Sequence, residues 1–200
     1  MTIKTFEIGD ITIDFQPEKV YNSWEHSMEG LLEEDEPLEL DGIGGNRQFA
    51  PFDALGVDKL RELGIIESQN MHDIEEGHIT ITELYEREHQ AISDGIGEPH
   101  MILDLGLRYV VMALLEVGAH PFSSCNAGSF PDDNRHAESY PLVAMYGNND
   151  AISIVKWAAE RSGCGLYGTE DPTGMGALVL YSNNIRNFTR MAGQLLHSLD

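Results

Sequence analysis

The sequence predicts an α+β fold, in which helices cover a small mixed or mostly antiparallel sheet. Apolar segments in residues 98–200 alternate between helical spacing and short, strand-length runs. The 200 residues, 42% of them hydrophobic, are enough to fill one core and too few to require two. No internal repeat indicates a solenoid. We therefore expect a single domain over residues 1–200, with an acidic N-terminal subregion at 1–97 and an α+β core at 98–200.

The first residues predict a hairpin followed by a helix. Residues 2–15 alternate apolar and polar side chains around a turn at Gly9 and Asp10. A two-stranded ribbon is marginally stable alone, so we expect it to join a larger sheet. An apolar stripe with helical spacing follows Pro17 and ends in the acidic run 33–36, which opposes the helix dipole.

Residues 52–97 predict two further helices. The apolar residues of 52–66 indicate a short helix that breaks at Gly64. Thr80 and Glu83 then have the spacing of a capping box ahead of an apolar run. A strand at residues 78–82 is the alternative, because isoleucine and threonine alternate there.

The central unit of the chain begins with a predicted long, buried helix. Pro99 suits its first turn, and Gly118 suits the left-handed position after its end. Only Asp104, Arg108 and Glu116 interrupt its apolar surface, so we place this helix deep in the core.

Shorter elements complete the predicted core. Residues 163–176 are rich in glycine and polar side chains and predict a loop, with a turn at 171–174. The other predictions, in chain order, are a strand at 121–125, a strand at 141–146, a helix capped by Asp150 and ending near Gly163, a strand at 176–181 and a helix at 185–196.

Negative charge is the most unusual bulk property. The formal net charge is −22, and residues 1–100 carry 24 acidic against 6 basic residues, whereas residues 101–200 carry 10 against 6. A nucleic-acid-binding face needs clustered Lys and Arg, so the composition argues against direct binding to DNA or RNA. The charge favours basic protein partners or metal cations, and a merely solvated acidic face is the alternative.

Our first functional hypothesis is an acidic cytoplasmic protein-binding module. It would act as an inhibitor or immunity-type partner of a basic, nucleic-acid-acting protein, since complementary charge speeds encounter. An aromatic side chain would anchor such an interface. The predicted partner-binding residues are Trp24, Glu33, Glu34, Asp35 and Glu36.

The second hypothesis is a small enzyme or metal-binding protein with a site around Cys125, His120 and His136. A thiolate needs a neighbouring base or positive charge, which an imidazole supplies, and the same groups suit Zn²⁺. A buried structural thiol is the alternative interpretation of Cys125. Carboxylates near this segment are Asp132, Asp133 and Glu138.

The remaining patterns narrow the class of protein. No apolar run approaches membrane-spanning length, and residues 1–4 lack the order of a secretion signal. Cys125 and Cys164 form no close pair, so we expect a reducing, cytoplasmic location. The glycines at 42–45 match no dinucleotide-binding fingerprint, and we predict no cofactor.

Overall fold

The α+β fold class is confirmed. A computed structural model describes residues 2–16, 52–133, 136, 138–170 and 176–199. Within these residues an open, mixed, five-stranded sheet is accompanied by five α-helices. In chain order the elements are β1 (Ile13–Asp14), α1 (Val57–Glu76), α2 (Ile81–Ser93), a 3₁₀-helix (Pro99–Ile102), α3 (Arg108–Glu116), β2 (Ala119–Cys125), β3 (Leu142–Gly147), α4 (Asn149–Ser162), β4 (Gly165–Glu170), β5 (Gly176–Tyr181) and α5 (Arg186–His197).

The strands lie in the order β1-β4-β5-β3-β2. Every neighbouring pair is antiparallel except β1 and β4, which run parallel. Strands β3 and β5 match the sequence prediction to within one residue. Strand β4 forms where a loop was predicted. Its apolar pattern is too weak to indicate a strand, and its pairing with β5 is what stabilises it as one.

The two faces of the sheet have different coverings. Val143, Met145 and Leu178 point into the main core, which the helices share. Their neighbours along the strands point to the opposite face, as the two-residue period of a strand requires. That second face holds a smaller cluster of Leu142, Ala144 and Val179, packed against the aromatic rings of Phe122, Tyr140, Tyr167 and Tyr181.

Helix α1 is longer than predicted. It continues through Gly64, which is buried and lies so close to the ring of Tyr109 that an added Cβ would meet the ring at 2.6 Å. The predicted break at this glycine is therefore wrong, because the residue serves close packing. The capping box of Thr80 and Glu83 is present and begins α2, which decides against the alternative strand at 78–82.

The predicted long helix from Pro99 is interrupted. A short 3₁₀-helix is followed by a turn at residues 103–107, and α3 begins only at Arg108. The backbone of Gly106 has a φ of +87°, which an α-helix does not allow. Glu67 of α1 accepts hydrogen bonds from the N–H groups of Gly106, Arg108 and Tyr109 and so holds the turn. Helix α3 is buried almost throughout, as predicted, and Gly118 has the expected positive φ.

The N-terminal residues form β-pairings with distant parts of the fold. Thr5 bridges Asn184, and β1 adds to the edge of β4, so the predicted hairpin is not observed in residues 2–16. The N–H of Leu166 donates to the carbonyl of Thr12, and the N–H of Thr12 donates to the hydroxyl of Tyr181. The predicted helix after Pro17 and the turn at 171–174 lie outside the described residues.

In the part of the chain that the structure describes, no helix combines the length with the apolar character that a membrane span requires.

Candidate functional site

The site forms where β2 ends and its loop turns back against the sheet. Cys125 is the last residue of β2 and lies opposite Leu142 of β3, with its side chain fully buried. The loop after it is also buried, and Ala127 adopts a φ of 54°, an uncommon conformation for a residue with a side chain. This conformation directs the N–H of Ala127 at Cys125 Sγ, at 3.4 Å.

An imidazole lies between the thiol and a carboxylate. Nδ1 of His136 is 3.4 Å from Cys125 Sγ, and Nε2 of the same ring is 2.7 Å from Oδ1 of Asp133. The side chains of His136 and Asp133 are only 9% and 1% exposed. Because the carboxylate of Asp133 accepts the proton on Nε2, Nδ1 is the ring nitrogen that faces the thiol.

A second carboxylate approaches from the turn before α3. Oδ2 of Asp104 is 3.5 Å from Nδ1 of His136 and accepts a hydrogen bond of 3.1 Å from the N–H of Asn126. One donor atom each from Asp104, Cys125 and His136 lies within 4.8 Å of the other two. Asp104 is 25% exposed, so the cluster is buried on the thiol side and opens toward solvent on the Asp104 side.

The charges around His136 change its protonation. Burial alone would lower the pKa of the imidazole. The hydrogen bond to Asp133, the contact with Cys125 and the charge of Asp104 outweigh burial and raise the pKa to about 10. At neutral pH the ring is therefore a cation, and it compensates the negative charge of the surrounding groups.

A buried network beneath the site holds the turn that carries Asp104. The guanidinium of Arg108 forms a bidentate pair with Glu88 at 2.5 and 2.6 Å, and the hydroxyl of Tyr85 accepts from the N–H of Leu105. Glu67 binds the same turn through three backbone N–H groups. Burial raises the pKa of Glu67 to about 7, against the opposing effects of Arg108 and those hydrogen bonds.

Two of the three residues predicted for the thiol site come together, and the third does not. Cys125 and His136 are in contact, whereas His120 lies on β2 opposite Tyr146, half-buried. Strand residues advance by about 3.3 Å each, so the five steps from His120 to Cys125 separate them by roughly 16 Å. The structure therefore places His120 apart from the contact between Cys125 and His136. The predicted partner-binding residues Trp24, Glu33, Glu34, Asp35 and Glu36 lie outside the described residues.

Comparison with known proteins supplies no identity. No family model, curated protein or solved structure matches the chain. The chemistry of the site must therefore be derived from its own atoms.

Sequence reasoning missed two residues of the site. Asp104 was assigned to the buried helix, because the turn that exposes its carboxylate depends on Glu67, 39 positions away from Gly106 in the chain. Asn126 resembles an ordinary polar loop residue, yet its side chain is fully buried and bonds to Asp133. The spacing of Cys125, Asp133 and His136 within one loop was the signal that the sequence did contain.

Proposed function

We propose that this protein binds one transition-metal ion, with Zn²⁺ as the best fit, through Asp104 Oδ2, Cys125 Sγ and His136 Nδ1. The observation that carries the proposal is the mutual distance of these donor atoms, all within 4.8 Å of one another. They come from three separate parts of the fold: the turn before α3, the end of β2 and the loop that follows it.

The measured distances resemble the edges of a zinc tetrahedron. With Zn–N and Zn–O bonds of about 2.05 Å and a Zn–S bond of about 2.3 Å, the S···N edge is about 3.6 Å and the N···O edge about 3.3 Å. In this protein Cys125 Sγ and His136 Nδ1 are 3.4 Å apart, and His136 Nδ1 and Asp104 Oδ2 are 3.5 Å apart. These two edges differ from the ideal ones by about 0.2 Å. The third edge, from Cys125 Sγ to Asp104 Oδ2, lies within 4.8 Å, against about 3.6 Å in a zinc tetrahedron, so the Asp104 carboxylate is the ligand that would move on binding.

The type of donor atom favours a transition metal. Thiolate and imidazole are ligands of Zn²⁺ and its neighbours, whereas Mg²⁺ and Ca²⁺ prefer sets of oxygen atoms. The described residues supply three ligands, and three-ligand zinc centres keep the fourth position for water or a substrate.

The surroundings of the ligands also match those of metal centres. Metal-binding histidines generally donate the second ring N–H to a carboxylate, which fixes the tautomer. Asp133 Oδ1, 2.7 Å from Nε2 of His136, has this role. The N–H of Ala127, 3.4 Å from Cys125 Sγ, faces the sulfur and stabilises its thiolate form.

The test is the metal content of the untagged protein, with variants that separate the proposed ligands from similar residues. We expect one Zn²⁺ per chain in the wild type, measured by elemental analysis, and a sulfur-to-metal charge-transfer band after exchange with Co²⁺. Cys125→Ser and His136→Gln should each weaken Zn²⁺ binding at least tenfold in competition with a chromophoric chelator. Cys164→Ser and His120→Gln are the matched controls, and both should bind as the wild type does.

Two outcomes contradict the proposal. The first is a wild-type protein that takes up neither Zn²⁺ nor Co²⁺ after reduction and reconstitution. The second is binding that His120→Gln weakens as much as His136→Gln does, because His120 lies outside the cluster.

The acidic protein-binding module stays a prediction, supported by the net charge of −22. It requires a basic protein partner whose affinity falls with rising salt and with neutralisation of residues 33–36. Affinity capture followed by a salt titration measures both effects, and an affinity that is indifferent to both contradicts this account.

A further inference from the structure

Asn126 occupies the centre of the candidate site without being one of its ligands. It follows Cys125 directly in the chain, and its side chain is fully buried. A buried amide must find its hydrogen-bond partners inside the protein, because an unsatisfied polar group is costly there. The hydrogen-bond partners of Asn126 therefore show which groups fix this side chain in place and which groups it positions.

Each polar group of Asn126 has a partner in or beside the site. Its backbone N–H donates to Asp104 Oδ2 at 3.1 Å. Its side-chain Nδ2 donates to Asp133 Oδ2 at 3.2 Å and to the carbonyl of Leu105 at 3.4 Å. Its Oδ1 accepts from the N–H of Gly128 at 2.9 Å, which confirms the orientation of the amide.

These bonds reach all three proposed ligands. Asn126 holds Asp104 directly through its N–H and is joined to Cys125 by a peptide bond. It reaches His136 through Asp133, since Nδ2 of Asn126 holds one carboxylate oxygen and Nε2 of His136 contacts the other. From this convergence we infer that Asn126 is the positioning residue of the metal centre: it sets the separation of the three donor atoms and, through Asp133, the ring nitrogen that faces the metal. This inference rests on the proposed function.

The first variant that tests it is Asn126→Asp. The substitution keeps the shape, the backbone N–H and the acceptor for Gly128, but it replaces the donor Nδ2 with an oxygen. That oxygen then faces Asp133 Oδ2 and the carbonyl of Leu105, which are both acceptors. Loss of an outer-shell partner typically weakens metal binding by roughly 10- to 100-fold, and we expect a loss in this range with an altered visible spectrum of the Co²⁺ form.

The second variant is the reciprocal exchange, Asn126→Asp combined with Asp133→Asn. Residue 133 then donates its amide N–H to the carboxylate at 126, while its amide oxygen still accepts from Nε2 of His136. Asp133→Asn alone sets two amide donors against each other at this contact. We therefore expect the double variant to bind Zn²⁺ more tightly than either single variant and to recover much of the wild-type Co²⁺ spectrum.

Asn184→Asp is the matched control, because it makes the same chemical change at another structured asparagine. Asn184 Oδ1 accepts from the N–H of Arg186 at the start of α5, and its Nδ2 contacts Thr5. This control should retain wild-type affinity for Zn²⁺ and the wild-type Co²⁺ spectrum.

The outcomes separate this inference from the proposed function. A wild-type protein that binds no metal removes both. A metal-binding wild type whose affinity and Co²⁺ spectrum Asn126→Asp leaves unchanged overturns the inference alone, and so does an equal loss in Asn184→Asp. If Asn126→Asp does not fold, the remaining comparison decides: a double variant that binds Zn²⁺ no better than Asp133→Asn overturns the positioning role.

Discussion

Raising the pH from about 4.5 to about 7 should destabilise this protein through one buried carboxyl group, that of Glu67. Burial raises the pKa of Glu67 from 4.5 to about 7 in the folded state. Between these two values the folded protein binds the proton and the unfolded chain does not, so the free energy of unfolding falls as the pH rises. One pKa unit corresponds to about 1.4 kcal/mol, so the difference gives a loss of about 3 kcal/mol, complete above the folded pKa.

The assay is denaturant unfolding at a series of pH values across this window, for the wild type and for Glu67→Gln. Glutamine does not titrate, so the variant should lack this part of the pH dependence. Glu62→Gln is the control, because Glu62 lies on the same helix with an exposed side chain, and its curve should run parallel to that of the wild type. Parallel curves for the wild type and Glu67→Gln would refute the reasoning, because burial would then not govern the pKa of this carboxyl group.

Two pairs of substitutions test how the helices are built. Gly64→Ala should destabilise the protein by about 1–3 kcal/mol in thermal or denaturant unfolding, because the new methyl group meets the ring of Tyr109. Gly193→Ala in α5 should stabilise it by about 0.5–1 kcal/mol, because nothing lies within 4 Å and alanine favours a helix; the reverse order contradicts the packing argument. Thr80→Ala removes the cap of α2 and should cost about 1 kcal/mol, whereas Thr82→Ala should change stability little, and equal effects count against the cap.

Elements with local boundary signals could be predicted from the sequence. Strand β5 and helix α5 match their predicted ranges to within one residue, because turn residues flank an uninterrupted apolar pattern. The cap at Thr80 depends only on residues within one turn of α2. Such signals lie within a few residues of the element that they define.

Features that depend on distant partners could not be predicted. The predicted helix from Pro99 is interrupted by the turn at Gly106, which Glu67 of α1 stabilises. No nearby sequence pattern indicates this contact. Strand β4 exists through its pairing with β5, since its alternation of leucine, glycine and acid is weak as a sequence pattern. In both cases tertiary contacts override local preference.

The residues of the candidate site differ in the same way, since some have local sequence signals and others depend on distant contacts. Cys125 and His136 are 11 positions apart in one loop, so their proximity was within reach of sequence reasoning. Asp104 precedes α3 in the chain, whereas Cys125 and His136 follow it. The turn before α3 brings the Asp104 carboxylate to the site. The sequence does not distinguish Asn126 from other loop asparagines. Its amide must form hydrogen bonds inside the protein only because the fold buries it.

The parallel strand at the sheet edge also has a consequence for the folding pathway. Strands β2 to β5 pair with partners that are near in the chain, whereas β1 must find β4 across most of the sequence. Closing so large a loop is slow, so the antiparallel strands should assemble first and β1 should join last. By the same reasoning β1 detaches first, and the amide of Leu166, which bonds to Thr12, should exchange its hydrogen sooner than the amides in the middle of the sheet.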